Sequence, residues 1–115
     1  MQAIGTIREF RTPQFTVIVD ALEDYDCDLS WDETGEVLKK LESGEYLSFC
    51  ARARVIHSEL GEIASDYLGG CIYESLEAFQ APKSYFQDMV GLVCKEARKH
   101  IEYLKITVPS IRVRT

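Results

Sequence analysis

Apolar and polar positions alternate along several stretches of this chain, and each alternation predicts an extended segment. In Gln14–Leu22, Phe15, Val17, Val19 and Ala21 alternate with Thr16, Ile18 and Asp20, and the run is β-branched and aromatic, as strands are. Ala3–Phe10 carries a weaker form, with Ile4 and Thr6 against Gly5 and Ile7. Thr12 and Pro13 punctuate the two segments, which read as a hairpin or as a lead-in to one strand. The clearest strand is Tyr46–His57, with Leu47, Phe49, Ala51, Ala53 and Val55 on one face and Ser48, Cys50, Arg52 and Arg54 on the other. Ser58-Glu59-Leu60-Gly61 is a turn, and Glu62–Tyr73 returns as a further strand. Gly69-Gly70 interrupts that strand and predicts a bulge or a sharp bend. So short a connection implies antiparallel pairing.

Two segments change period. Ser84 through Leu104 places Phe86, Met89, Val90, Val93, Ala97, Ile101 and Leu104 at three- and four-residue steps, the mark of a helix with one apolar face. Ser84-Tyr85-Phe86-Gln87 fits a capping box, and Lys95, Arg98, Lys99 and Lys105 suit the negative end of the helix dipole. A shorter helix is predicted from Ser30-Trp31-Asp32-Glu33, another capping box, through Val37, Leu38 and Leu41 to a Ser43-Gly44 cap. A turn of helix is expected at Leu76–Phe79, and Pro82 breaks the chain. The tail Ile106–Arg114 alternates weakly around Pro109 and reads as an edge strand or a loose end. Together these predict one α+β domain over residues 1–115. It is a three- or four-stranded antiparallel sheet packed against one long C-terminal helix, with a short helix after the first strand.

Charge adds what periodicity leaves out. Eight of the 19 acidic residues fall within seventeen positions: Asp20, Glu23, Asp24, Asp26, Asp28, Asp32, Glu33 and Glu36, with no base among them. In Tyr25–Trp31, Tyr25, Cys27, Leu29 and Trp31 share one side of an extended chain. Asp24, Asp26 and Asp28 form a comb on the other, spaced about 6.6 Å apart. The apolar side is expected to face the core, and Trp31 on it reads as a core residue, with an interface anchor beside the acids as the alternative. Residues 1–82 carry net −10 and residues 83–115 net +4, within an overall −6. A negative chain is a poor ligand for phosphates and a good one for basic proteins.

The remaining chemistry is spare. The acidic run fails as a calcium loop, since Leu29 stands where the glycine belongs and Gly35 where the bidentate glutamate belongs. Cys27, Cys50, Cys71 and Cys94 include no C-x-x-C pair, so no zinc site is expected, and four reduced, mostly buried thiols are. His57 and His100 read as solvent-facing or capping residues. Arg52 and Arg54 read as cross-strand partners of acids such as Glu62 or Asp66, with an anion site as the alternative. No catalytic residue, metal or cofactor is assigned. No apolar run reaches the ~18–20 residues of a membrane span, and Met1–Phe10 lacks the form of a signal peptide, so a cytoplasmic location is expected.

Phe15–Val37 and Ile63–Ser75, with the motifs D-L-S-W (Asp28–Trp31) and D-Y-L-G-G-C-I-Y (Asp66–Tyr73), resemble small acidic proteins carried by phages and plasmids of proteobacteria. That resemblance implies a setting in which short acidic proteins, anti-CRISPR proteins among them, block host defence by standing in for DNA in charge. It carries no site residues with it. The expected function is an acidic module that occludes a basic nucleic-acid-binding surface, such as that of a host defence nucleoprotein complex. Asp24, Asp26, Asp28, Asp32, Glu33 and Glu36 would replace backbone phosphates, and Glu59, Glu62 and Asp66 would supply a second row. The alternative is a self-associating structural or accessory protein, with no catalysis, in which acidic body meets basic helix.

Overall fold

A computed structural model describes residues 2–24, 29–81 and 85–107. Four strands, β1 (Ala3–Arg11), β2 (Phe15–Glu23), β3 (Leu47–His57) and β4 (Gly61–Tyr73), form one antiparallel sheet in sequence order. A short helix, α1 (Glu36–Ser43), leads into β3, and a 3-10 turn over Glu77–Gln80 leads to the long helix α2 (Phe86–Thr107). The fold is α+β, with all four strands formed.

No short helix follows the first strand; the one predicted up to Ser43-Gly44 comes after the second. The chain turns from β1 straight into β2 through Thr12, whose N–H donates to the Phe15 carbonyl at 2.8 Å. The helix that does form, α1, follows β2. It starts at Glu36 rather than at the capping box, from Gly35 at φ 75°, with no side-chain cap at that residue. Asp32 instead accepts from the Leu38 N–H inside the helix at 3.1 Å. Gly44, at φ 85°, closes the other end as expected.

α2 lies across one face of the sheet, and the core sits between them. Val19, Ala21, Phe49, Ala51 and Ala53 are fully buried beneath Met89, Val93 and Ala97. Ala51 and Ala53 of β3 are small, which leaves room for the larger Met89 and Val93 of α2 in the same cluster. At one end Phe79, fully buried, meets the rings of Phe49, Tyr73 and Phe86 edge-on at 5.8, 5.2 and 6.0 Å. Among the described residues no other helix crosses the opposite face as α2 crosses this one.

The predicted interruption of β4 is a bulge. The register jumps from Phe49↔Cys71 to Ala51↔Leu68, so Gly69 and Gly70 together face Cys50. Gly70 sits at φ 68°, a conformation that side chains resist.

Candidate functional site

The eight clustered acids do not share one fate. Asp20 is only 5% exposed and lies on the face of the sheet away from α2, on the same rung as Arg52 of β3. Arg52 grips it with two hydrogen bonds, from Nε at 3.0 Å and from Nη2 at 2.5 Å, and Arg54 adds a longer contact at 3.4 Å. This bond holds the Arg52 guanidinium still further above its ordinary range. The arginines were expected to pair with Glu62 or Asp66. Glu62 reaches Arg54 only at 3.9 Å, and Asp66 stands opposite buried Ala53 on the helix side of the sheet. The main partner comes from β2 because register, not proximity in sequence, decides which rung an arginine occupies.

Asp24 is a tether. Its Oδ2 accepts the Gly70 N–H at 2.7 Å, so the chain leaving β2 passes over β3 and fastens to the bulge of β4. Beneath this crossing, burial, then the Asp24 charge, pushes the Cys50 thiol above its usual range. Asp32 serves α1 as described. Glu33 and Glu36 are exposed. Asp26 and Asp28, with Tyr25 and Cys27, lie outside the described residues. Glu62 and Asp66 fall on opposite faces of β4, so the expected second row with Glu59 does not line up.

Trp31 departs furthest from expectation. It was placed in the core by alternation, yet it is 60% exposed, because Leu29–Trp31 form a turn rather than a strand. With Val37 and Tyr46 it walls a groove of about 360 Å³ whose other wall is Leu68–Tyr73 of β4 and Tyr85, itself 65% exposed. The ammonium of Lys40 lies 4.9 Å above the Tyr46 ring. A second hollow, about 160 Å³, continues past Leu68 and Tyr85 to Asp66, Asp88 and Leu92. A third, about 370 Å³, lies where Ile63–Ser65 face Glu96, Lys99 and His100 of α2. The three follow the outer edge of β4, which among the described residues pairs only with β3.

No family model, curated protein or solved structure matches this chain.

The histidines take different places. His57 is 1% exposed, and its Nδ1 accepts the N–H groups of Glu59 and Leu60 at 3.0 and 3.3 Å, so it caps the β3–β4 turn from inside. His100 is exposed on α2. Cys50 and Cys71 are buried, and Cys94 is half-buried. Among the described residues no three His, Cys, Asp or Glu side chains gather as metal ligands, and no helix is long and apolar enough to cross a membrane.

Sequence reasoning missed the groove. Its one legible signal was the tryptophan standing beside acids, and periodicity assigned that residue to the wrong side.

Proposed function

We propose that this chain is an acidic binding module that docks on a basic protein surface and keeps nucleic acid from it. The observation that carries the reading is Trp31, 60% exposed and followed in sequence by Asp32 and exposed Glu33. Tryptophan is among the commonest anchors of protein interfaces, and its ring here walls an apolar groove, with Asp32 and Glu33 next to it in the chain and Asp24 bonded to Gly70 of the opposite wall. Carboxylates around such an anchor steer a basic partner and disfavour an acidic one. The overall −6 charge acts in the same direction at long range. The resemblance of Phe15–Val37 and Ile63–Ser75 to small acidic proteins of phages and plasmids points to a host defence nucleoprotein complex as the partner and to the cytoplasm as the place. No catalytic step belongs to this reading.

Asp20 is excluded from the docking surface, because Arg52 and Arg54 already balance it. Glu33, Glu36 and Trp31 are its centre, with Asp24 and Asp32 supporting the loop that presents them. The six acids first assigned thus divide into outward and structural roles, Asp26 and Asp28 apart.

The test starts with capture of partners from host extract on the immobilised chain, at low and high salt. Each captured protein is then titrated with labelled DNA with and without saturating chain. The expected result is a nucleic-acid-binding protein, released by salt, whose DNA binding the chain blocks. Trp31→Ala and the pair Glu33→Gln, Glu36→Gln should each weaken capture without unfolding the chain. A partner that holds DNA equally well with the chain bound overturns the reading.

A second reading is self-association. The exposed side of α2 shows Leu92, Tyr103 and Ile106 at 50%, 63% and 76% exposure beside Lys95, Arg98 and Lys99. Light scattering at low and high salt separates the two, since a monomer under both conditions excludes self-association.

A further inference from the structure

The outer edge of β4 is bordered along much of its length, and what borders it is acidic. Ile63–Leu68 runs beside α2, with hollows of about 370 and 160 Å³ between strand and helix. Asp66 of the strand and Asp88 and Glu96 of the helix line them. Among the described residues lining them Lys99 is the only lysine or arginine, with His100 beside it, and Glu96 sits 3.6 Å from the lysine. At the far end the trough opens into the groove between Trp31 and Tyr85. An edge strand presents a row of main-chain donors and acceptors, and a segment laid along it can complete the pairing as one more strand.

The geometry points to strand addition: an extended basic segment of the partner protein pairs with Ile63–Leu68 of β4, between that strand and α2. This deepens the docking reading above and rests on it. Six residues at about 3.3 Å each span about 20 Å, the length of an ordinary strand. Successive side chains of the added strand face opposite ways. Those on the helix side meet Asp66 and Asp88, and a lysine or arginine at every second position matches them. An apolar or aromatic side chain at the end of the segment fits between Trp31 and Tyr85. A second copy of β4 is the poorer occupant. Antiparallel pairing of two such edges brings Asp66 of each chain towards the other, and like charges facing across a pair are destabilising. The Gly69-Gly70 bulge also bends the edge, a common guard against self-pairing.

The probe is an eight-residue peptide alternating lysine and valine, acetylated and amidated, titrated against the full chain. Trp31, the single tryptophan, reports by fluorescence, and amide hydrogen exchange of β4 reports pairing directly. A control peptide of the same sequence carries N-methyl groups on its four central amides, so its charge is kept and its strand donors are lost. The expected result is slowed exchange at Ile63–Leu68 and binding at least about tenfold tighter for the unmodified peptide, which keeps its strand hydrogen-bond donors. Asp66→Asn with Asp88→Asn should weaken that binding. Equal affinity for both peptides, lost alike in salt, overturns strand addition and leaves the acidic module standing. No binding by either peptide also overturns it, while capture of a DNA-binding partner by the same chain would show that the broader reading survives. If the peptide binds only after Arg112→Glu and Arg114→Glu, the edge belongs to the chain's own C-terminal segment and the partner proposal fails. A dimer that the peptide dissolves assigns the edge to a second copy, with the same consequence.

Discussion

Asp20→Ala removes one carboxylate that two arginines share, and the consequence follows from geometry. The wild-type oxygens accept two hydrogen bonds from Arg52 and a longer one from Arg54. Asp20 is nearly inaccessible, with its side chain 7% exposed, while the arginine side chains keep 22% and 24% of theirs. Breaking a fully buried pair costs about 3–5 kcal/mol, mainly because a charge is stranded. The arginines' partial exposure lets water compensate some of that, so a loss of about 2–4 kcal/mol is expected. At about 2.1 cal/mol/K of unfolding entropy per residue, a chain of this length should lose roughly 8–16 °C in Tm. Urea unfolding followed by circular dichroism measures the loss. Salt near 1 M should restore part of it, because the two guanidinium groups then repel less. Replacing the main pair outright, Asp20→Leu with Arg52→Met, should cost less than Asp20→Ala alone, since only Arg54 then loses a counter-ion and it keeps Glu62 at 3.9 Å. A loss below about 1 kcal/mol for Asp20→Ala would refute the view that this aspartate is a structural counter-ion.

Other consequences follow from single positions. Phe79→Ala empties the centre of the aromatic cluster and should cost about 3–5 kcal/mol in the same urea assay. Gly70→Ala forces a side chain into a left-handed conformation and should cost about 1–2 kcal/mol. Gly91→Ala, exposed within α2 with open space around it, should stabilise by about 0.4–1 kcal/mol. The raised Cys50 thiol makes stability fall with alkali: the unfolded thiol ionises first, near its ordinary pKa of about 8.5, while the folded one still holds its proton. Stability should be full below that pH and decline as pH rises through the folded value, and Cys50→Ala should flatten the decline in urea midpoints measured across alkaline pH.

The strands and the long helix were legible because both announce themselves locally. Phe49, Ala51, Ala53 and Val55 occupy alternate positions and all point into the core. Phe86, Met89, Val93, Ala97 and Ile101 recur at helical steps and are all buried. The glycine pair of β4 named its bulge in the same way. The short helix was legible in its apolar stripe and its closing glycine, but not in its start. A capping box needs the backbone to enter the helix at that serine, and here the chain turns at Leu29–Trp31 first. The candidate site was legible in composition and wrong in part of its geometry, as Trp31 shows.

The sequence by itself determined the periods, and with them the elements, the antiparallel order of the β3–β4 hairpin and the apolar faces, because backbone geometry repeats over two residues or 3.6. Only the tertiary structure decided what each charge does. Asp20 meets arginines 32 and 34 positions away, and Asp24 meets a glycine N–H 46 positions away. Such pairings depend on strand register and on where a connection crosses the sheet. Those are set by the sum of many packing contacts across the whole domain, and no local pattern encodes that sum.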